Sequence, residues 1–336
     1  MLKMTNVALD AMGGDNAPVE IIKGGIEAIN ADSTIKIFLV GKEEVINNEL
    51  TKYQYNKEQV EVVNATEDIS CNEPPVLAIR RKKDSSIVVG MKLVKENKAD
   101  AFLSAGSTGA VLAGGQLLIG RIKGVERPPL APLIPTEKNP ALLIDCGANV
   151  DARPSHLVQF AKIGSTYMEG IMGVKNPRVA IVNIGVEEEK GNALVKETYP
   201  YLKNCTDINF IGNIEARDIP KGVADVIVTE AFVGNVILKL YEGVAASLIG
   251  SIKKGMMSNL KSKIGALLVK KSLKETLKGF DTDKYGGAPM LGLKGLVVKA
   301  HGSSKSVEIK NAINQCKLFN EQNINQKIKE KIEVVE

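Results

Sequence analysis

Short, β-branched apolar runs alternate with amphipathic stretches from the first residues of the chain onward, and this alternation constrains the fold more than any other feature. It is the pattern of βα units that feed a largely parallel sheet with helices on both faces. The spacing predicts strands at 6–10, 35–40, 60–64, 101–104, 141–145, 178–184, 208–211, 226–229 and 296–300. Several are apolar throughout, as strands covered on both sides must be. Helices are predicted at 18–30, which opens on Pro18, and at 75–97, which runs through Arg80, Arg81, Lys82 and Lys83. That basic cluster faces either solvent or an anion. Residues 101–120 are uncharged and long enough to span a bilayer, but Gly106, Gly109, Gly114, Gly115 and Gly120 make them poorly hydrophobic. They read as strand, turn and buried helix.

At 336 residues and 44% hydrophobic composition, the chain can bury a core without disulfides or metals. No low-complexity linker or composition shift divides it. The expectation is therefore one open α/β catalytic domain over 1–336, compatible with two lobes, rather than two autonomous domains. Cys71, Cys146, Cys205 and Cys316 lack C-x-x-C spacing, and His156 and His301 are the only histidines, so no zinc cluster is expected. Residues 1–7 do not read as a secretory signal, and a reducing cytosol is the expected setting. A net charge of +5, 4% aromatic residues and no tryptophan argue against a nucleic-acid partner.

Four turns built from Gly, Ser, Thr or Asn lie where a strand should end and a helix begin. They are Asp10-Ala-Met-Gly13-Gly14-Asp15-Asn16, Ser104-Ala-Gly106-Ser107-Thr108-Gly109, Thr229-Glu230-Ala-Phe-Val-Gly234-Asn235 and His301-Gly-Ser-Ser304. Turns of this kind point backbone N–H groups into an open site and favour anions. Singly, each is ordinary helix punctuation. Together, in an open parallel sheet, they belong at the carboxyl ends of the strands, where ligands of such folds bind. No G-x-G-x-x-G or G-x-x-x-x-G-K-[ST] string occurs, which argues against a dinucleotide or P-loop site. A small phosphate, or an oxyanion developing on a carbonyl, suits what is left.

Other candidates follow further strands. In Gly185-Val-Glu187-Glu188-Glu189-Lys190-Gly191-Asn192, either the acids form a solvated helix start, or Lys190 contacts a phosphate or oxyanion while the acids hold the loop or the lysine. In Asp145-Cys146-Gly147-Ala148-Asn149, Asp145 and Asn149 are better site candidates than the thiol, because no histidine stands beside it in sequence. His301 can serve as a donor to phosphate or as an acid for a leaving group. His156, beside Pro154 and Ser155, reads as a local structural choice.

Residues 252–280 depart from this texture. Lys253, Lys254, Lys261, Lys263, Lys270, Lys271, Lys274 and Lys278 accompany a single acid, Glu275, while Met257, Leu260, Ile264, Leu267 and Leu268 recur at helical spacing. The segment reads as a basic amphipathic helix or helix pair, broken at Gly265. Either its lysines are solvated on a dimer-forming pair, or the apolar stripe meets an anionic membrane.

Taken in order, these strings resemble the phosphate acyltransferase family of bacterial phospholipid synthesis, over about residues 7–320. Residues 7–18, Arg80-Arg-Lys-Lys-Asp-Ser-Ser86, Ser104–Gly109, 144–151, Asn213-Ile-Glu-Ala-Arg-Asp218, Tyr285-Gly-Gly-Ala-Pro289 and His301–Ser304 carry the resemblance. It implies a sheet related to phosphotransacetylases and isocitrate/isopropylmalate dehydrogenase-like folds. It also implies a homodimer without organic cofactor, acting on acyl-(acyl carrier protein) and inorganic phosphate. The acyl phosphate would feed a membrane-bound glycerol-3-phosphate acyltransferase. The enzyme would be cytoplasmic and peripherally attached to the inner face of the cell membrane through a protruding segment at 250–285, with Leu260, Ile264, Leu267 and Leu268 in contact; the acidic carrier protein would be drawn to similar basic charge. Lys190, His301 and Asn235 would be catalytic. Asp10, Gly13, Gly14, Asp15, Asn16, Ser104, Gly106, Ser107, Thr108, Gly109, Asp145, Asn149, Asn192 and Glu230 would line the substrate and phosphate site. Ser107 stands where the family commonly has asparagine, and Glu230-Ala231 replace its Asp-Gly; Ala231 would tolerate a positive φ poorly if that turn required one. Direct attack of phosphate on the thioester is the expected mechanism. A nicotinamide-dependent dehydrogenase and a catalytically silent membrane scaffold are the rivals.

Overall fold

The computed structural model describes residues 4–277 and 286–333. The chain divides into two compact units, Met1–Pro132 with Lys162–Asn176 and Asp283–Glu336, and Leu133–Ala161 with Pro177–Thr282. Each unit has its own sheet.

In the first unit, strands β1 (Thr5–Asp10), β2 (Ile35–Gly41), β3 (Val60–Asn64) and β4 (Ala101–Ser104) alternate with helices α1 (Val19–Ala31), α2 (Glu43–Leu50), α3 (Pro75–Arg81) and α4 (Ser86–Lys95). Helix α5 (Thr108–Gly114) follows β4 and continues into a π turn at Gly115–Ile119. Among the described residues the sheet has the order β10-β11-β4-β1-β2-β3, where β10 is Ala288–Met290 and β11 is Leu296–Lys299. All its neighbours run parallel except β10, which is antiparallel to β11. Successive residues serve opposite faces, as a period of two demands. Ala8, Val40 and Phe102 pack with Ile87, Met91 and Val94 of α4, whereas Leu9 and Ile37 meet α1 at Gly25. Each of the larger of these side chains, fully buried, contributes roughly 1.5–3 kcal/mol. Helix α10 (Ser306–Glu321) closes against α1, and α11 (Ile324–Glu333) follows it.

In the second unit, β5 (Leu133–Ile134), β6 (Ala141–Ile144), β7 (Arg178–Asn183), β8 (Asn209–Glu215) and β9 (Val226–Val228) form a sheet of order β5-β6-β9-β7-β8. Only the pairing of β5 with β6 is antiparallel. Its core gathers Leu143, Ala180, Ile214 and Ile227. Helix α6 (Pro154–Met172) contains one of the points at which the chain passes from one unit to the other, 161/162, and further ones fall at 132/133 and 176/177. Helix α7 (Ala193–Asn204) joins β7 to β8, and α8 (Ala231–Met256) and α9 (Leu260–Leu277) follow β9.

Both sheets confirm the mostly parallel α/β class. Three sequence expectations change. The helix expected at 75–97 is two, α3 and α4: Asp84 turns aside to accept hydrogen bonds from the Thr66 amide and hydroxyl, and Ser85 caps α4 by accepting from the Val88 amide at 3.4 Å. The break expected at Gly265 falls instead at 257–259, because Asn259 caps α9 through the Ser262 amide at 2.9 Å and Gly265 lies within that helix. Strands β5 and β10 had no counterpart in the sequence reading. The parts of the expected 250–285 protrusion at 278–285, with Lys278 and Tyr285 of the quoted strings, lie outside the described residues.

Candidate active site

Three neighbouring strands of the first unit, β1, β4 and β11, deliver their carboxyl ends to one edge of the sheet. The register Leu9 to Leu103 and Val298 to Leu103 brings Asp10, Ser104 and Lys299 there together. Asp10 is fully buried, accepting from the Ser104 hydroxyl at 2.7 Å and from the Met12 amide at 3.1 Å, with the Ser86 side chain close by. Burial raises its pKa, against the lowering effect of those donors. The Ser104 oxygen in turn accepts from the Gly106 amide at 3.0 Å. Gly13 is required here by proximity: a Cβ on it would stand 2.4 Å from the Asp10 carboxylate and 2.7 Å from the Gly106 nitrogen.

The third loop is tied to the first. The Asp15 amide donates to Gly302 O at 2.8 Å, and the Asn16 side-chain amide donates to Ser303 O at 2.9 Å and Ser304 O at 3.2 Å. Lys299, not anticipated from the sequence, is only 9% exposed, and its ammonium donates to Ala105 O at 3.3 Å and to Ala300 O. Its signal was one charged residue closing the otherwise apolar strand Leu296–Lys299. Ser107 caps α5 by accepting from the Ala110 amide at 3.4 Å. Thr108 and Gly109, as the first residues of that helix, have no intrahelical acceptor for their N–H groups.

His301 is exposed, and its Nδ1 lies 2.8 Å from Ser303 Oγ and accepts from the Ser303 amide at 3.3 Å. An accepting Nδ1 places the ring proton on Nε2, as an outward donor. Asp10, Gly13, Gly14, Asp15, Asn16, Ser104, Gly106, Ser107, Thr108, Gly109 and His301 therefore all belong to one strand-end cluster. Within it, Asp10 and Asn16 brace loops, and the backbone amides and His301 carry the donor character.

The second unit has its own strand-end group. Asp145, after β6, accepts from the Gly147 and Ala148 amides, both at 3.2 Å, and from the Asn149 side chain at 2.7 Å. The Ala231 amide donates to Asn149 O at 3.1 Å, joining this loop to the start of α8. Glu230 caps that helix, its carboxylate accepting from Phe232 at 2.6 Å and Val233 at 2.9 Å. Ala231 is absent from the positive-φ residues, so the exchange of Asp-Gly for Glu-Ala is accommodated without strain. Gly234 is obligatory, since a Cβ there would lie 1.9 Å from Asp145 O. Asn235 sits exposed one turn into α8.

The loop after β7 exposes Lys190. Its acids do not clamp the lysine: Glu188 pairs with Lys203 at 2.6 Å, while Asn183 and Asn213 hold the loop through Lys190 O at 3.0 Å and Glu187 O at 2.8 Å. Asn192 caps α7 through the Val195 amide at 2.9 Å. Cys146 is buried, donates to Leu143 O at 3.5 Å, and has its thiol pKa driven well up by burial and then by Asp145. Such a thiol is a poor nucleophile. His156 is buried and accepts from the Arg153 amide at 3.0 Å, the structural role its sequence context suggested. Among the described residues, no group of three His, Cys, Asp or Glu side chains is placed to hold a metal.

Helix α8 is long and apolar enough to cross a bilayer by length and composition alone, and only 6% of that stretch is buried. On α9, Leu260 (75% exposed), Ile264 (56%), Leu267 (72%) and Leu268 (79%) form one stripe.

The profile of the fatty acid synthesis protein family matches residues 5–327. The chain is 52% identical over 327 residues to the phosphate acyltransferase of Clostridium novyi, covering 97% of this chain and 98% of that one. It is 53% identical over 319 residues to that of Clostridium beijerinckii, with 95% and 96% covered. Among solved structures, a phosphotransacetylase from Streptococcus pyogenes superposes with a TM-score of 0.61 at 17% identity, covering 95% of this chain and 94% of that one, a likeness of fold.

Proposed function

Since the chain belongs to the phosphate acyltransferase family of enzymes, we propose that it moves a fatty acyl group from the thioester of acyl carrier protein to inorganic phosphate. Acyl phosphate and free carrier thiol are the products. The observation that carries this reading is the first-unit cluster: three loops cross-tied by Asp10, Ser104, Asn16 and Lys299, with unspent amides at Thr108 and Gly109 and a donor at His301. Fixed donors of this kind bind a tetrahedral anion without reorganising.

In this scheme an oxygen of hydrogen phosphate attacks the thioester carbonyl, the C–S bond breaks, and the proton of the hydrogen phosphate ends on the departing thiol. His301 Nε2–H serves as a donor to phosphate or oxyanion. No acyl-enzyme forms, in keeping with the sealed Cys146. Lys190 and Asn235, exposed on the second unit, are assigned catalytic roles, and Asp145 and Asn149 support that unit's loop.

The same reading includes a homodimer and peripheral attachment to the inner face of the cell membrane, from which acyl phosphate would pass to a membrane-bound glycerol-3-phosphate acyltransferase. Supporting it is the exposed stripe on α9 beside Lys261, Lys263, Lys270 and Lys271, where each basic residue near an anionic surface contributes about 1 kcal/mol. Replacing Leu267 and Leu268 by glutamate is expected to abolish flotation with anionic liposomes; unchanged flotation would refute membrane contact.

Incubation of the purified protein with palmitoyl-(acyl carrier protein) and phosphate tests the reaction itself. Phosphate-dependent release of thiol with a hydroxylamine-sensitive acyl phosphate is expected. Release without phosphate, or an acylated protein by intact mass, would overturn the scheme.

A further inference from the structure

The segment between β3 and α4 carries the string Arg80-Arg-Lys-Lys-Asp-Ser-Ser86, which the chemistry above leaves unused apart from Ser86. Its acids are all engaged. Glu73 pairs with Lys82 at 2.9 Å, Asp68 with Lys42 at 2.5 Å, Glu67 accepts from the Asp84 amide at 3.2 Å, and Asp84 accepts from Thr66. Arg80, Arg81 and Lys83 are exposed and have no acidic partner among the described residues. Lys92 adds to them, its ammonium donating to Lys83 O at 3.2 Å. Beside these charges, α3 exposes Val76 (46%) and Leu77 (47%). The result is a small apolar spot rimmed by unpaired cations.

This patch adjoins the first-unit cluster at two points. Pro75, at the start of α3, lies so close to Gly109 that a Cβ on that glycine would meet its ring at 2.5 Å, and α4, which follows the patch, packs against β1, the strand that ends at Asp10. A protein seated on α3 would therefore stand beside the turn that the proposed function gives to phosphate.

We propose that Val76, Leu77, Arg80, Arg81 and Lys83 form the docking surface for the acidic carrier protein that bears the acyl thioester, an inference that rests on the acyl-transfer reading above. Charge complementarity selects this occupant. A carrier that presents carboxylates around an apolar helix face matches cations around Val76 and Leu77, and the opposite charges speed encounter and fix orientation. Phosphate alone would not use the apolar spot, and a lipid surface would not require its placement beside Gly109.

The triple variant Arg80→Glu/Arg81→Glu/Lys83→Glu separates docking from chemistry when assayed with two donors, palmitoyl-(acyl carrier protein) and palmitoyl-pantetheine, at saturating phosphate. The expected result is a KM for the carrier-borne substrate raised at least tenfold, with unchanged turnover of the pantetheine thioester. The wild-type KM for the carrier substrate should climb with salt and the variant's should not. A second variant, Val76→Ser/Leu77→Ser, should raise the same KM without altering its salt dependence. An unchanged KM, or equal losses with both donors, would overturn the docking surface while leaving the acyl-transfer reading intact. Absence of phosphate-dependent thiol release from wild-type protein with either donor would instead remove the reading on which the surface rests.

Discussion

The two strand-end clusters use similar residues to opposite effect. In the first unit, Asp10, Ser104, Asn16 and Lys299 turn inward and fasten loops from β1, β4 and β11 to one another. In the second, Asp145, Glu230 and Asn192 fold back on amides of their own loops, and Lys190 and Asn235 stand in solvent. The contrast teaches that one cluster is a cross-tied receptacle whose donors are backbone amides and His301, and the other a set of side chains held out on firm bases.

That contrast breaks most visibly at the lysines. Lys190→Met should lower turnover about 10²- to 10³-fold, the loss typical of a charge-stabilising donor, with a melting temperature unchanged. Lys299→Met should lower both activity and melting temperature, since it strips bonds from Ala105 and Ala300. Equal thermal losses in the two variants would erase the distinction. Glycine replacements come next. Gly234→Ala drives a methyl into Asp145 O and should cost about 3 kcal/mol by denaturant unfolding, and Gly13→Ala somewhat less, because the Asp10 carboxylate can yield a little. Ser104→Ala should cost about 1–3 kcal/mol, leaving the Asp10 carboxyl and the Gly106 amide short of a partner.

The smallest effect is on pH dependence. Asp10 has its pKa raised in the fold, so its favourable contribution is complete below the unfolded carboxylate value, about 3.9, and is lost as pH rises through the folded value. Asp10→Asn should flatten that part of the stability profile, measured by denaturant midpoints from pH 4 upward. An unaltered slope would assign the dependence to other groups.

Much of this was legible in the sequence, for identifiable reasons. Apolar runs such as Ile35–Gly41 and Ala141–Ile144 announce buried strands almost to the residue. Strands β5 and β10 escaped because they are two and three residues long and lie beside Pro135 and around Pro289. One crossing between the units falls inside α6, where helical periodicity continues uninterrupted and leaves no mark in the sequence. At 80–83 the arginines and lysines favour helix, and the contrary signal was Asp84-Ser85 ahead of an apolar run. For the site, the turns were readable as anion-favouring strings, but which side chains would face a ligand was not. Sequence spacing cannot tell that Asp10 is spent on Ser104, that Asn16 is spent on Ser303 and Ser304, or that Glu188 chooses Lys203 over Lys190.

The placement of phosphate is the centre of the account, and amide hydrogen–deuterium exchange with and without inorganic phosphate tests it most directly. Slowed exchange at 104–109 and 300–304, with 185–192 unchanged, is the predicted result. Protection confined to 185–192 and 229–235, with the first-unit turns unaffected, would contradict it.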